Sequence, residues 1–205
     1  MKGDFPQDEV PGADIQYSMK TLAVLFAGEM TGHALESLPG SGSAFSRAFT
    51  RMSIMSDVSR VLVFASATWH NGAENALSPS SPALKALPPA PGGVTVGVCS
   101  APSWTASSFF SRVSAESESF DQVFIAWADC PFLDVPFTAR LFDEKHLRYA
   151  AEYSFADGYP YGFSPDILAR GILPVLANLA KDNDGPVTRS LVFDTIKKDI
   201  NSFDI

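Results

Sequence analysis

One carboxylate stands out by position. Asp129 follows directly on a continuous apolar run, Val123 to Ala128, and is fixed by Pro131 two residues on. In an open parallel sheet, ligands bind beyond the carboxyl ends of the strands, so an acid there faces whatever is bound. An Asp before a proline-containing loop also serves as a turn cap, and the sequence leaves both readings open. Glu29 follows an earlier apolar run in the same way, with Gly28 before it and Gly32-His33 after it. Other chemistry is poorly supported. Neither HExxH, CxxC nor GxSxG occurs, and His33, His70 and His146 are isolated from one another. Gly40-Ser41-Gly42 lacks the third glycine of a dinucleotide fingerprint and does not directly follow the first strand. Cys130 has no base at a recognisable spacing and reads as a small packing residue. Tyr153, Phe155, Tyr159 and Tyr161 either line a pocket or fill a core.

The elements that must position these residues are legible as four short apolar runs. They are Leu22 to Ala27, Val61 to Ala65, Val94 to Cys99 and Val123 to Ala128. Each is continuously apolar and rich in β-branched or aromatic side chains, the pattern of strands buried on both faces. Helical stripes lie between them. Phe45, Phe49, Met52 and Met55 make one face, and Ala106, Phe109, Phe110 and Val113 another, with Ser103 as its expected cap. The proline-rich stretch 72–92 predicts an irregular crossover with at most a short helix. Strand–helix alternation implies an α/β fold of three layers, with a mainly parallel central sheet. Past residue 128, a helix is expected over 137–147, an added antiparallel strand over 149–155, and a turn-rich segment over 157–166. Leu168, Ile172, Val175, Leu176 and Leu179 predict a helix that Pro174 should kink or split, and 188–201 reads as a last helix.

Composition excludes whole classes of function. The 205 residues carry a net charge of −8, leaving no basic surplus to displace the counterions of a nucleic acid. No apolar stretch is long enough to span a membrane, and the acidic start lacks the apolar core of a secretory signal. Two cysteines, Cys99 and Cys130, are too few for a disulfide framework or a cysteine-based zinc site, and both are expected to be reduced. A cytoplasmic setting follows. Residues 1–19 read as a flexible acidic arm, and 20–205 as a single domain.

Two motifs carry a family resemblance. Ala128-Asp129-Cys130-Pro131-Phe132-Leu133-Asp134 resembles the (G/A)DxPL(I/L)D segment of nucleotidyltransferases with the glycosyltransferase-A type fold, the cytidylyltransferases that make CMP-sugars above all. Tyr159-Pro160-Tyr161-Gly162-Phe163-Ser164-Pro165-Asp166 resembles their later YP-x-GLD-x-E segment, and VSRVLVFAS resembles their second strand. The likeness spans roughly 20–180. It implies a nucleotide or nucleotide-sugar ligand, with Gly28, Glu29, Gly32, Ser100, Tyr159 and Ser164 as binding residues. It implies Asp129 as the catalytic residue, and Mg²⁺ held by Asp129, with Asp157 as a substitute second ligand. A narrower likeness, in Tyr153 to Gly162 and Lys198 to Ile205, is to the front domain of spiro-SPASM proteins. That likeness implies an attached radical-SAM/SPASM domain, whose iron–sulfur cluster and SAM would lie downstream, since this chain has no CxxxCxxC.

The departures from that pattern are chemical. Residues 21–46 contain no Lys or Arg to hold a triphosphate, and Glu29 adds repulsion. Ser164 stands where the family has its second acid, with Asp157 or Asp166 as replacements. Arg140, Arg148 and Arg170 are the basic residues expected to rescue the site if they reach it. Two readings result: a nucleotidyltransferase-like domain, cytidylyltransferase-like if active and expected to be degenerate, or a non-catalytic recognition or docking module of a radical-SAM/SPASM protein. In either case the Asp129 carboxylate is expected to be open to a cleft and not paired inside.

Overall fold

A computed structural model describes residues 19–28, 32–40, 42–66, 85, 87–182 and 184–205. Nearly all of the acidic arm, most of the 72–92 crossover, Glu29 and His70 lie outside the described residues. In chain order the first elements are β1 (Thr21–Phe26), the short pair β2 (Ser37–Leu38) and β3 (Gly42–Ser43), and α1 (Ala44–Ser53). Then come β4 (Val58–Ser66), β5 (Thr95–Ala101), α2 (Ala106–Glu116), β6 (Gln122–Trp127) and α3 (Val135–Leu141). A π-helical turn, Phe142–Leu147, leads to β7 (Tyr153–Ser154), β8 (Asp166–Ala169), α4 (Leu173–Lys181) and α5 (Leu191–Ile196).

The main sheet runs β5-β4-β1-β6-β8-β7. The first four of these strands are parallel, and β8 is antiparallel to both neighbours. Burial explains the order. Every residue of β1 is buried, as its unbroken apolar run requires, so it sits between two parallel partners. From β1 the chain steps outward to β4 and β5, then returns across the sheet to β6. The β1-to-β4 and β5-to-β6 connections run in opposite directions, and the right-handed rule for parallel crossovers then puts α1 and α2 on opposite faces, which makes three layers. The reversal makes the carboxyl ends of β1 and β6, where Phe26 pairs in register with Trp127, the switch point at which open α/β sheets place their ligand crevice.

Aromatic packing locks one face to the strands beneath it. Phe109 of α2 is fully buried and meets Phe26 and Phe64 edge-on, at centroid distances of 5.3 and 4.9 Å. Helix α2 starts at a capping box in which Thr105 and Ser108 cap each other, two residues beyond the expected cap at Ser103. On the far side, His146 ties three elements. Its Nε2–H donates to Gln122 Oε1 at 2.8 Å, and its Nδ1 accepts from the Ser154 hydroxyl at 3.1 Å.

Beyond residue 147 the structure corrects several expectations. Only Tyr153–Ser154 of the 149–155 segment is strand, because Ala150 is left-handed (φ +51°) and closes the π turn. The antiparallel strand is β8, so Leu168 faces the sheet rather than a helix. Pro174 kinks nothing, since it stands in the first turn of α4, where a missing N–H costs no hydrogen bond. The last helix ends at Ile196 and continues as a 3-10 turn, Lys197–Ser202.

Phe109→Ala is expected to cost about 3–5 kcal/mol of stability, the usual range for a phenylalanine removed from a core that cannot collapse. Urea denaturation measures it, and a loss under about 1 kcal/mol would contradict this packing.

Candidate functional site

The crevice is built on two backbone extensions. Ala27 N–H donates to Phe64 O and Ala128 N–H to Phe26 O, so the parallel ladder runs one residue past β1 and β6 before the loops diverge. Gly28 leaves β1 where nothing larger fits: a Cβ there would lie 2.6 Å from the Phe26 ring and 2.8 Å from Ser66 Oγ. Gly32 opens a 3-10 turn, Gly32–Leu35.

Asp129 sits where the sequence predicted, just past β6, but it is not an open carboxylate. Its Oδ2 is ion-paired with Arg189 Nη2, and its side chain is only 13% exposed. Its Oδ1 is buried and has no hydrogen-bond partner among the described residues. Arg189 comes from the turn before α5 and is 46% exposed. Its guanidinium lies over the Tyr161 ring at 5.3 Å, and its Nη1 is 3.8 Å from Cys130 Sγ. Tyr161 in turn meets Trp127 edge-on at 6.3 Å. Arg189 was not among the basic residues the sequence suggested. It is one arginine in a polar turn, and only the tertiary fold carries it 60 residues back to Asp129.

The loop carrying Asp129 is held from several sides. Arg51 of α1 donates to Leu133 O at 2.7 Å, and Asp134 caps α3 by accepting from Phe137 N–H at 2.7 Å. Asp134 N–H donates to Phe163 O at 2.7 Å, stitching this loop to the Tyr159–Phe163 segment. Gly162 makes that approach feasible. Its φ is +79°, and a Cβ would fall 2.7 Å from Cys130 Sγ. Cys130 is buried and unbridged, as is Cys99. Burial, and then the Asp129 charge, push the Cys130 thiol up to about 11, which makes it a packing residue and a poor nucleophile.

The remaining expected site residues are dispersed. Asp157 and Tyr159 line a cavity of about 400 Å³ with Phe137, Arg140 and Lys145, and Asp129 is not part of its lining. Tyr159 is stacked on Phe163. Ser164 spends its hydroxyl on Pro165 O at 3.0 Å. Ser100 lies on β5, at the edge of the sheet. Among the described residues no three metal-ligating side chains converge. Asp166 begins β8 opposite Ile125 and accepts from the Tyr153 hydroxyl at 2.7 Å. Burial pushes its carboxyl up to about 6, against the lowering effect of that hydrogen bond.

Comparison with known proteins bears on the fold. No protein-family model matches the chain. A cytidylyltransferase from Leptospira borgpetersenii serovar Hardjo-bovis (strain JB197) superposes with a TM-score of 0.60 at 14% identity, covering 91% of this chain and 73% of that one. The 4-diphosphocytidyl-2C-methyl-D-erythritol synthase of Anaerococcus prevotii DSM 20548 gives 0.55 at 13%, covering 89% and 84%. A CMP:2-keto-3-deoxy-manno-octonic acid synthetase complexed with CTP gives 0.53 at 13%, covering 87% and 86%. The chain therefore has the nucleotidyltransferase fold. In sequence, an uncharacterized protein of Treponema pallidum (strain Nichols) is 45% identical over 83 residues, a stretch that spans 37% of this chain and 37% of that protein. No helix among the described residues is long and apolar enough to cross a membrane.

Two buried groups titrate against each other. Burial lowers His146 to about 4. The unfolded chain then takes up a proton that the folded chain refuses, so this group makes stability rise with pH from about 4 to 6.5. Asp166 does the reverse: the folded state keeps a proton that the unfolded state has lost, and stability falls from about pH 4 to 6. The two groups therefore act in opposite directions over this range. Asp166→Asn is expected to leave the His146 slope alone, a rise of roughly 3 kcal/mol across that window. Urea midpoints taken through the acid range check this, and superimposable native and variant profiles would refute it.

Proposed function

We propose that this domain binds a nucleotide or nucleotide sugar, a cytidine nucleotide in the first instance, at the carboxyl ends of β1 and β6, and does not catalyse nucleotidyl transfer. The Asp129–Arg189 ion pair carries this reading. The crevice is the topological switch point of the sheet, where ligands of such folds bind. The three solved neighbours reported above are cytidine-nucleotide enzymes by name, one of them complexed with CTP.

Transfer needs more than a crevice. A triphosphate brings three to four negative charges, and their neutralisation as pyrophosphate leaves is the main catalytic task. Residues 21–46 offer no Lys or Arg for it. The Mg²⁺ that the fold implies would be the other source of charge, acting as a Lewis acid on the phosphate. The described side chains do not fit it. One oxygen of Asp129 is taken by a guanidinium, the other is buried away from a cation that keeps most of its water shell, and Asp157 lines a different cavity. With Ser164 in place of a second acid and its hydroxyl already engaged, the site binds without a route to transfer.

Incubation with CTP, Mg²⁺ and a panel of sugars and sugar acids is expected to release no pyrophosphate above background. Cytidine nucleotides should nonetheless raise the thermal midpoint, because a ligand of the native state alone stabilises it. Turnover near about one per second, abolished by Asp129→Ala, would show a working transferase.

A further inference from the structure

We propose that Arg189 takes the place of the metal ion, so that the crevice recognises the phosphate of a nucleoside monophosphate or nucleotide sugar through a guanidinium, independently of divalent cations. This inference rests on the nucleotide reading above and specifies how the phosphate is held.

The geometry is that of a held cation. Asp129 Oδ2 fixes one end of the guanidinium, the Tyr161 ring supports its face at 5.3 Å, and Cys130 Sγ lies 3.8 Å from Nη1. These three contacts remove much of the rotamer freedom that an arginine otherwise loses on binding a ligand. Each support is itself anchored. Asp129 extends a central strand, Tyr161 leans on Trp127, and Cys130 is pressed by Gly162. The side chain remains 46% exposed, so an anion entering the crevice reaches it. A guanidinium has five N–H donors in a planar fork, and the contacts to Asp129 and Cys130 occupy only part of it. That fork matches phosphate oxygens two at a time, and its charge does not depend on pH in the physiological range.

Charge sets the ligand class. Asp129 alone would repel a phosphate, and pairing with Arg189 cancels that repulsion, the service a divalent ion performs in a metal-dependent site. One guanidinium, already shared with a carboxylate, suits the one or two charges of a monophosphate or a diphosphate ester better than the three to four of a triphosphate. The stretch 21–46 contains no Lys or Arg to pair with the extra phosphates.

Calorimetric titration of the whole chain with CMP, in EDTA and then in Mg²⁺, tests the idea directly. CMP affinity is expected to change less than about twofold between the two conditions, and CTP should bind no more tightly than CMP. Arg189→Gln should weaken CMP roughly tenfold or more, with Arg189→Lys in between because it keeps the charge and loses the fork. Binding that appears only with Mg²⁺, or that Arg189→Gln leaves unchanged, would overturn the assignment to Arg189 while leaving the nucleotide reading intact. Absence of CMP and CTP binding in both conditions would overturn the nucleotide reading and this inference with it. The comparison in EDTA and Mg²⁺ uses the native protein, so the test does not depend on either variant folding.

Discussion

A poorly solvated carboxylate needs a proton, hydrogen bonds or a cation, and for Asp129 the partner is a cationic side chain. Asp129 leaves β6 only 13% exposed, with one oxygen sealed inside and the other on Arg189. The rest of the site is arranged around that contact. The Tyr159–Phe163 segment folds back so that Tyr161 lies under the guanidinium, and Gly162 allows the two loops to close to Cys130 Sγ. Removing Arg189 leaves Asp129 in a poorly solvated place with its charge uncompensated, which costs more than the pair itself contributes. The pair is thus a positional constraint more than a source of stability.

The sheet makes that constraint possible. β1 and β6 are parallel, in register and buried along nearly their whole length, so the carboxyl end of β6 is a fixed point relative to Gly28. Phe109 packed on Phe26 and Phe64 holds one face rigid, and Arg51 reaching Leu133 O ties the opposite helix to the Asp129 loop. The turn that bears Arg189 is brought in last, by α4 packed near α2 and α5 packed on α4. Fold and site are coupled in one direction: the strands place Asp129, Asp129 places Arg189, and Arg189 decides what charge the crevice presents.

The parallel core was legible because buried parallel strands write themselves as unbroken apolar runs, and four such runs gave four strands to within a few residues; the expectation of burial on both faces failed for one of them, since Val94 to Cys99 became the edge strand β5, where only Cys99 is buried. Asp129 was legible for the same reason, as the first polar residue past one of them. What escaped notice depends on contacts distant in sequence. β8 is four residues, DILA, and its apolar pair blends into the helical stripe that follows. Pro174 looks like a helix breaker unless the helix start is known to lie beside it. Arg189 carries no periodicity or motif, and its role follows only from the tertiary path. The predicted openness of Asp129 was therefore incorrect for a physical reason: its partner could not be read locally. The separation of Asp157 from Asp129 was hidden likewise, since both lie at loop positions that a linear motif suggests are neighbours.

The account turns on which cation Asp129 holds, and anomalous diffraction answers that most directly. A crystal grown with CMP and Mn²⁺, measured at the manganese edge, is expected to show no anomalous peak at Asp129. The Asp129–Arg189 pair should be intact, with the CMP phosphate on the guanidinium. A manganese peak bound to Asp129, with Arg189 displaced from it, would contradict the account.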